Sequence, residues 1–144
     1  MAKLSVHDNW VYAQAVDYET CRVVLYTVFP HSQPPEYTDI AFEGVVVHHF
    51  ERQLTGGSSG PANVLFDVEE ADPLHVFAEF KGVIDRLKNH GWPVAEYTDV
   101  DDLVAKLTRA GAICYTVHGS CGLDGFVFAS SVQFLPRPSR AEVV

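Results

Sequence analysis

The sequence predicts an α+β domain in which two helices pack on one face of a curved antiparallel sheet of about six to eight strands. Three observations lead to this prediction. Apolar residues alternate with period two along most of the first half of the chain, recur at spacings of three and four along two later segments, and then alternate again. Because short connections join most strands, neighbours should pair antiparallel. The expected order is six strands, two helices and two strands.

The central element of the predicted sheet is the segment from Thr38 to Glu51, which contains the densest β-branched run of the chain. It indicates two extended segments that meet at Gly44. The segment from Cys21 to Phe29 is apolar on both faces, which is typical of a central, covered strand. The strands predicted before the helices follow residues 3–7, 10–16, 21–29, 38–43, 45–51 and 63–68, and those after them follow residues 112–118 and 126–135.

Two amphipathic helices are predicted between these groups of strands. Asp72 is a suitable N-cap for a helix that spans Pro73 to His90, which has a single apolar stripe. A second helix is expected to begin near Thr98 or Asp99, where Thr98 and Asp101 resemble a capping box, and to end at Gly111.

Length and composition indicate one globular domain. A chain of 144 residues with 47% hydrophobic and 20% charged residues can bury one core, expected over residues 1–136, followed by a frayed tail at 137–144. The start lacks the apolar core of a signal peptide, and no segment approaches 18 uninterrupted apolar residues. We therefore expect a cytoplasmic protein. The glycine-rich stretch from Gln53 to Ala62 lacks the G-K-[ST] ending of a phosphate-binding loop and is expected to connect two strands.

Charge and cysteine content limit the partners. The formal charge of −9 opposes binding to nucleic acid or to an anionic membrane, because both require a basic surface. A protein with a basic surface, or a second copy of this chain, fits better, although acidity also serves simple solubility. Three cysteines without a C-x-x-C pair predict free thiols, with Cys21 and Cys114 as small core residues. No cofactor is indicated.

The adjacent histidines are the first candidate for chemistry. Strand alternation sends His48 and His49 to opposite faces, so they are poorly placed to chelate one ion together. His49 and Glu51 share a face and could form half of a metal site. The simpler interpretation places His48 beside Phe50 as a half-buried aromatic residue and His49 where the strand reaches water.

Three wider constellations are candidates as well. Cys121 and His118 could form a nucleophile and base, without an evident third group to orient them. His7 and Asp8 could join His49 and Glu51 at one end of the sheet as metal ligands, although their spacing matches no recognised motif. Aromatic residues could form an interaction patch, because tyrosine and tryptophan combine a large area with one polar tip. The candidates for this patch are Trp10, Tyr12, Tyr37, Phe42, Trp92 and Tyr97.

Several stretches carry a resemblance. They are H-D-N near the start, Y-T-D-I-A-F-E-G-V-V-V-H-H-F-E, N-V-L-F-D-V-E-E, and the closing G-x-x-x-Y-x-x-x-G-x-x-G-x-x-G-F-V-x-A. Together they resemble a family of small bacterial proteins with a domain of unknown function, a likeness that covers most of the chain and implies no activity. In size, acidity and strand order the chain is also similar to immunity proteins of bacterial toxin systems, which implies a binding role.

The sequence therefore favours a non-enzymatic, acidic binding module. The residues expected to contribute to its binding surface are Trp10, Tyr37, His48, His49, Glu51 and Trp92. One alternative is a small metal-dependent enzyme or hydrolase that uses His49 and Glu51. Another is a small-ligand carrier, which would need a cavity between the sheet and the helices.

Overall fold

The alternating segments do form antiparallel strands. The computed structural model describes residues 6–52, 64–88, 97–121 and 123–142. Over these residues it contains strands β1 (Trp10–Asp17), β2 (Arg22–Phe29), β3 (Glu36–Glu43), β4 (Val47–Arg52), β5 (Val64–Glu70), β6 (Ile113–Cys121), β7 (Leu123–Ala129) and β8 (Ser131–Arg137), with helices α1 (Pro73–Glu79), α2 (Lys81–Lys88) and α3 (Val100–Arg109). The α+β class is as predicted, and none of the described helices is long and apolar enough to cross a membrane.

The strands form two four-stranded antiparallel sheets, which one described residue pair joins into a continuous order of eight strands, so the predicted single curved sheet is confirmed only in its antiparallel pairing. Sheet 1 has the order β1-β2-β3-β8, and sheet 2 has the order β5-β6-β7-β4. Among the described residues, the pair Trp10 and Val64 links β1 to β5 at the boundary between the sheets. The chain bends where it passes from one sheet to the other, at residues 44–46 and at Ser130.

The order of elements also differs from the prediction. The described residues give five strands, three helices and three strands. The predicted strand over 126–135 is divided at Ser130 into β7 and β8, and the predicted first helix is divided at Phe80 into α1 and α2. The first predicted strand is only partly described, and Val6 lies outside any strand as a buried residue. The predicted loop over 53–62 lies outside the described residues.

The two sheets exchange their edge strands. β1, β2 and β3 form a meander whose fourth strand is β8, whereas β5, β6 and β7 form a meander whose fourth strand is β4. β3 runs into β4 through the bend at 44–46, and β7 runs into β8 through the bend at Ser130. Each half of the chain therefore completes the sheet of the other half.

The two bends contact each other, which requires glycine at position 44. Gly44 has a φ of +62°, and a Cβ at this position would overlap Oγ of Ser130 and lie 3.0 Å from its Cβ. The N–H of Ser130 donates to the carbonyl of Glu43 at 2.9 Å, and the N–H of Val46 donates to the carbonyl of Phe128 at 2.8 Å. Because of these hydrogen bonds, the backbone pairing of β3 with β8 continues into that of β4 with β7. The two main chains are therefore in close contact at the bends, where each passes from one sheet to the other.

One apolar core lies between the sheets. Val23, Leu25, Val117 and Val127 of the inner faces are almost fully buried in it. Because side chains alternate along a strand, the residues between these core positions point to the outer face of each sheet.

The helices cover the outer face of sheet 2 with a second core. Phe77 of α1 stacks on Phe128 at 5.3 Å between ring centroids, and Phe80 lies 5.1 Å from Phe126. Burial of each such ring contributes about 1.5–3 kcal/mol to stability. The molecule therefore has three layers: sheet 1, sheet 2 and the helices.

The helix starts follow the predicted chemistry with one shift in register. Oδ1 of Asp72 accepts a hydrogen bond from the N–H of Leu74, which makes Asp72 the N-cap of α1 as predicted. The N-cap of α3 is Asp99, and Asp102 rather than the predicted Asp101 completes a reciprocal arrangement by accepting from the N–H of Thr98.

A polar turn at His7 and Asp8 precedes β1. Asp8 adopts a φ of 66°, a left-handed conformation that aspartate tolerates. Asn9 is buried, and its side-chain amide donates to the hydroxyl of Thr27 at 3.0 Å. That hydroxyl in turn donates to the carbonyl of Thr38 at 2.6 Å. The turn is therefore tied to two strands of sheet 1.

The segment 138–142, which was expected to fray, lies against sheet 1. Ala141 is buried, and its backbone N–H donates to the hydroxyl of Tyr12 at 2.9 Å. Just before this segment, Arg137 forms a bidentate ion pair with the largely buried carboxylate of Asp39, with Nη2 to Oδ2 at 2.8 Å.

The close contact between Gly44 and Ser130 can be tested by adding a methyl group at position 44. Gly44→Ala should destabilise the protein by about 2–4 kcal/mol, since it adds a contact with Ser130 to the cost of the left-handed backbone. Gly111 is the matched control, because it has a φ of +76° and a Cβ there would have no atom within 4 Å. Gly111→Ala should cost only about 1 kcal/mol. Urea denaturation measures both free energies of unfolding.

Adding Ser130→Gly to Gly44→Ala should restore part of the lost stability, because it removes the side chain that the new methyl group meets. Equal losses for Gly44→Ala and Gly111→Ala would contradict a tight contact between the bends.

Candidate functional site

The adjacent histidines of β4 leave opposite faces, as the alternation predicts. The His48 ring lies 5.6 Å from that of Phe50, which packs against the core between the sheets. The His49 ring lies 5.9 Å from Phe80 and 6.0 Å from Phe126, in the layer between sheet 2 and the helices. The two imidazoles therefore belong to different environments.

A row of polar residues crosses sheet 2 on the face that carries His49. Glu51 of β4 is paired with Asp124 of β7, Asp124 is paired with His118 of β6, and His118 is paired with Asp67 of β5. Directly paired residues of antiparallel strands share a face, so these four side chains follow one line across the sheet. We call Glu51, Asp124, His118 and Asp67 the polar row.

Two histidine–carboxylate pairs organise this row. Nε2 of His49 lies 3.1 Å from Oε1 of Glu51, two residues along the same strand. Nδ1 of His118 lies 3.4 Å from Oδ1 of Asp124 on the neighbouring strand. Each imidazole thus positions one carboxylate of the row.

A surface pocket of about 320 Å³ opens where the polar row meets the helices. Carboxylates from three elements face it: Glu51 of β4, Asp124 of β7 and Glu79 of α1. The rest of its described lining is uncharged, with Phe80 as its largest apolar group. We call it the acidic pocket, lined by Glu51, Glu79, Phe80, Gly82, Val83 and Asp124. Its composition suits a cationic group with an apolar stem.

The predicted metal constellation is not assembled. His7 and Asp8 pair with each other at 3.1 Å in the turn before β1, whereas His49 pairs with Glu51 on the helix side of sheet 2. No group of three or more histidine, cysteine, aspartate or glutamate side chains suited to a metal ion occurs within residues 6–52, 64–88, 97–121 and 123–142. The prediction was wrong because the two segments belong to different sheets.

The predicted aromatic patch is divided among separate places. Phe42 is fully buried in the core between the sheets, and Tyr97 packs against the core under the helices. Trp10 contacts His31, with 6.2 Å between ring centroids. Trp92 lies outside the described residues.

Tyr12 and Tyr37 do meet, on the outer face of sheet 1. Their ring centroids are 6.1 Å apart in an edge-to-face arrangement. Tyr26 of β2 joins them and stacks on Tyr12 at 6.2 Å. Tyr26 was missed as a site residue because its strand was expected to be covered on both faces. Alternation with the buried Leu25 was the signal that could have identified it.

The cysteines differ from the prediction at one position. Cys114 is buried under the helices, and burial raises the pKa of its thiol to about 12. Cys21, expected in the core, is exposed in the turn between β1 and β2 with a φ of 53°, because the turn ends one residue later than predicted. The side chain of Cys121 is not described, and its proposed partner His118 pairs with Asp124.

A second pocket of about 180 Å³ lies at one end of the space between the sheets, where His48, Cys21 and Val45 contribute to its lining. Pockets that enclose small molecules typically measure roughly 300–1,000 Å³. This pocket lies beside the bend between β3 and β4, whereas the acidic pocket is the one that opens between sheet 2 and the helices.

The position of His48 predicts a pH dependence of stability. Burial lowers the pKa of His48, and the positive charge of His49 adds to this effect. Above the ordinary value of 6.5 both folded and unfolded states hold a neutral imidazole, so the full stability is present. Stability should then fall as the pH decreases through the lower folded pKa, because the unfolded chain binds the proton more readily.

The measurement is urea denaturation of wild type and His48→Gln at about pH 7.5 and about pH 5.5. Wild type should lose more stability between the two conditions than His48→Gln, which has no imidazole at this position. Equal losses would show that His48 is solvated equally in the folded and unfolded states.

Comparison with known proteins does not identify the site. No family model matches this chain, and no curated protein sequence matches it. The polar row and the acidic pocket are therefore defined by geometry and charge alone.

Proposed function

We propose that this protein is a non-enzymatic binding module that recognises a basic segment of a partner protein at the acidic pocket. The convergence of Glu51, Glu79 and Asp124 on one pocket is the observation that carries the proposal. The three side chains come from three different elements, so only the folded chain brings them together. A lysine or arginine that enters the pocket would meet all three carboxylates.

The shape of the pocket also favours a long basic side chain. Phe80 and Val83 provide apolar wall beside the carboxylates, which suits the methylene stem of lysine or arginine. Phe80 is itself buried against Phe126, so this wall is held by the core under the helices. A preorganised wall reduces the ordering that binding would otherwise require.

The histidines support binding rather than catalysis in this proposal. His49 and His118 each hold a carboxylate of the polar row, at 3.1 and 3.4 Å. His49 also packs against Phe80, which limits its movement. A metal-dependent reaction would need a further ligand from another segment, and His7 and Asp8 are paired with each other.

Charge, thiols and resemblance agree with this role. The net charge of −9 steers a basic partner towards the protein and opposes binding to nucleic acid. Cys21 and Cys114 are free thiols, which supports a cytoplasmic site of action. The similarity to immunity proteins, which implied a binding role, points in the same direction.

Binding of a basic peptide should depend on the pocket. A fluorescein-labelled Lys-Gly-Lys-Gly-Lys-Gly-Lys peptide should bind wild type at low salt, and its anisotropy measures the affinity. The variant Glu51→Gln/Glu79→Gln/Asp124→Asn should bind about threefold to 150-fold more weakly, since three ion pairs are lost at about 0.2–1 kcal/mol each.

The matched control removes the same number of charges elsewhere. Glu19, Glu36 and Asp101 are exposed carboxylates outside the acidic pocket. The variant Glu19→Gln/Glu36→Gln/Asp101→Asn should lose less than about twofold in affinity if the pocket supplies the contacts. Equal loss in both triple variants, or no binding by wild type, would refute recognition at the pocket.

Self-association through the edge of sheet 1 is a second candidate. β8 is the outermost strand of this sheet, and its residues from Ser131 to Leu135 carry no charge. Leu135 is exposed to 38%, and Pro136 and Arg137 follow it. Uncharged strand edges are templates for pairing with another chain, whereas charged edges oppose it.

Sedimentation velocity at increasing protein concentration tests this candidate. Wild type should shift towards a dimer, and Gln133→Lys should remain monomeric because it places charges on both paired edges. Exposed Gln14→Lys on β1 is the control and should behave as wild type. A wild-type monomer at all concentrations would remove β8 as an interface.

A further inference from the structure

The outer face of sheet 1 carries an aromatic surface that the proposed function does not use. Tyr12, Tyr26 and Tyr37 come from three adjacent strands and contact one another through Tyr12. All three are half-buried rather than enclosed. We call these residues the tyrosine surface. It lies on the opposite side of the sandwich from the acidic pocket, which faces the helices.

An arginine of the chain already occupies this surface. The guanidinium carbon of Arg140 lies 4.1 Å from the centroid of the Tyr12 ring, within the range of a cation–π interaction. The next residue, Ala141, donates its backbone N–H to the Tyr12 hydroxyl at 2.9 Å. Tyr12 therefore binds one cation with its ring face and one main-chain donor with its hydroxyl.

These contacts are of a kind that another chain can supply. Segment 138–142 belongs to no strand, and Pro136 and Pro138 have no N–H to donate to a ladder. Its contacts with Tyr12 are made by an arginine side chain and by the N–H of the next residue, whose small side chain is buried. An extended segment of a partner that carries arginine presents the same two groups.

The neighbouring arginine has a different role. The guanidinium of Arg137 lies 5.7 Å from the Tyr26 ring, and the carboxylate of Asp39 holds it through both oxygens. Hydrogen bonding to Asp39 raises the pKa of Arg137 above its ordinary value. Arg137 is therefore held in place by Asp39 at the edge of the tyrosine surface. Arg140 is exposed and contacts the ring of Tyr12.

We propose that the tyrosine surface recognises an extended, arginine-bearing segment of a partner protein, and that segment 138–142 is its internal competitor. The competitor must leave before the partner binds. The apparent association constant for the partner is therefore the intrinsic constant multiplied by the fraction of molecules in which the segment has left the surface. Binding here is independent of the acidic pocket.

The test weakens the contacts of segment 138–142 with Tyr12 and leaves the three tyrosines unchanged. Arg140→Ala removes the cation, and Arg140→Ala/Ala141→Pro also removes the N–H that Tyr12 accepts. The probe is the peptide acetyl-Pro-Ser-Arg-Ala-Glu-amide, which has the sequence of residues 138–142. NMR titration of the ¹⁵N-labelled full chain measures its affinity, and circular dichroism checks that each variant is folded.

The expected result is graded. The double variant should bind the peptide about tenfold or more tightly than wild type, with Arg140→Ala between them, because the competitor is progressively released. Shifted resonances should cluster around Tyr12. A peptide with citrulline in place of arginine should bind the double variant about tenfold more weakly, because citrulline is neutral.

Matched tyrosine variants locate the interaction. Tyr12→Leu in the double-variant background should abolish peptide binding. Tyr18→Leu in the same background should retain it, since Tyr18 is 84% exposed in the turn after β1. The triple carboxylate variant of the acidic pocket should bind this peptide as wild type does. The experiments therefore test recognition at the acidic pocket and recognition at the tyrosine surface independently.

Three outcomes would overturn the inference. Equal affinity of wild type and both opened variants would show that segment 138–142 is no competitor. Equal binding of the citrulline peptide, or no binding by the double variant, would show that the surface does not recognise arginine. Dimerisation of the opened variants in sedimentation velocity would identify a second copy of this chain as the occupant instead of a different protein.

Discussion

The structure depends on the contact between the bends at Gly44 and Ser130. At this point two chain segments, β3 into β4 and β7 into β8, pass from one sheet to the other, and the backbone hydrogen bonds of Ser130 and Val46 continue the pairing through the bends. A side chain at position 44 would overlap that of Ser130, so the approach is possible only with glycine on one side. Because β4 completes sheet 2 and β8 completes sheet 1, the contact joins the two halves of the chain.

This exchange of strands gives each sheet one inner and one outer face with different roles. The inner faces form a shared apolar core, and the outer face of sheet 2 receives the helices. β4 brings His49 and Glu51 beside Asp124 of β7 only because it crosses to sheet 2. The acidic pocket is therefore a consequence of the crossing: without it, Glu51 and Asp124 would belong to different sheets.

The two proposed binding surfaces lie on the two outer faces and differ in their chemistry. The acidic pocket gathers carboxylates, whose attraction is long-ranged and weakened by salt. The tyrosine surface uses the faces of aromatic rings, whose attraction for a guanidinium is short-ranged and depends on geometry. A basic partner could engage the two surfaces at separate points, and binding at both would combine their affinities.

The sequence by itself determined the local chemistry of this protein. Period-two alternation predicted the strands and sent His48 and His49 to opposite faces, because side chains on a strand must alternate. Cap chemistry placed the start of α1 at Asp72, and the bend at Gly44 followed from the change in pattern at that residue. All of these features are governed by interactions within a few residues of chain.

The tertiary structure alone decided which distant residues meet. The partnership of Glu51 with Asp124 depends on the register of two strands separated by three helices, and no local pattern contains it. The break at Ser130 escaped prediction because its apolar alternation is compatible with one long strand. The position of Arg140 over Tyr12 depends on how segment 138–142 leaves β8. Contacts between remote segments are selected by burial and register together, so they appear only once the whole chain is folded.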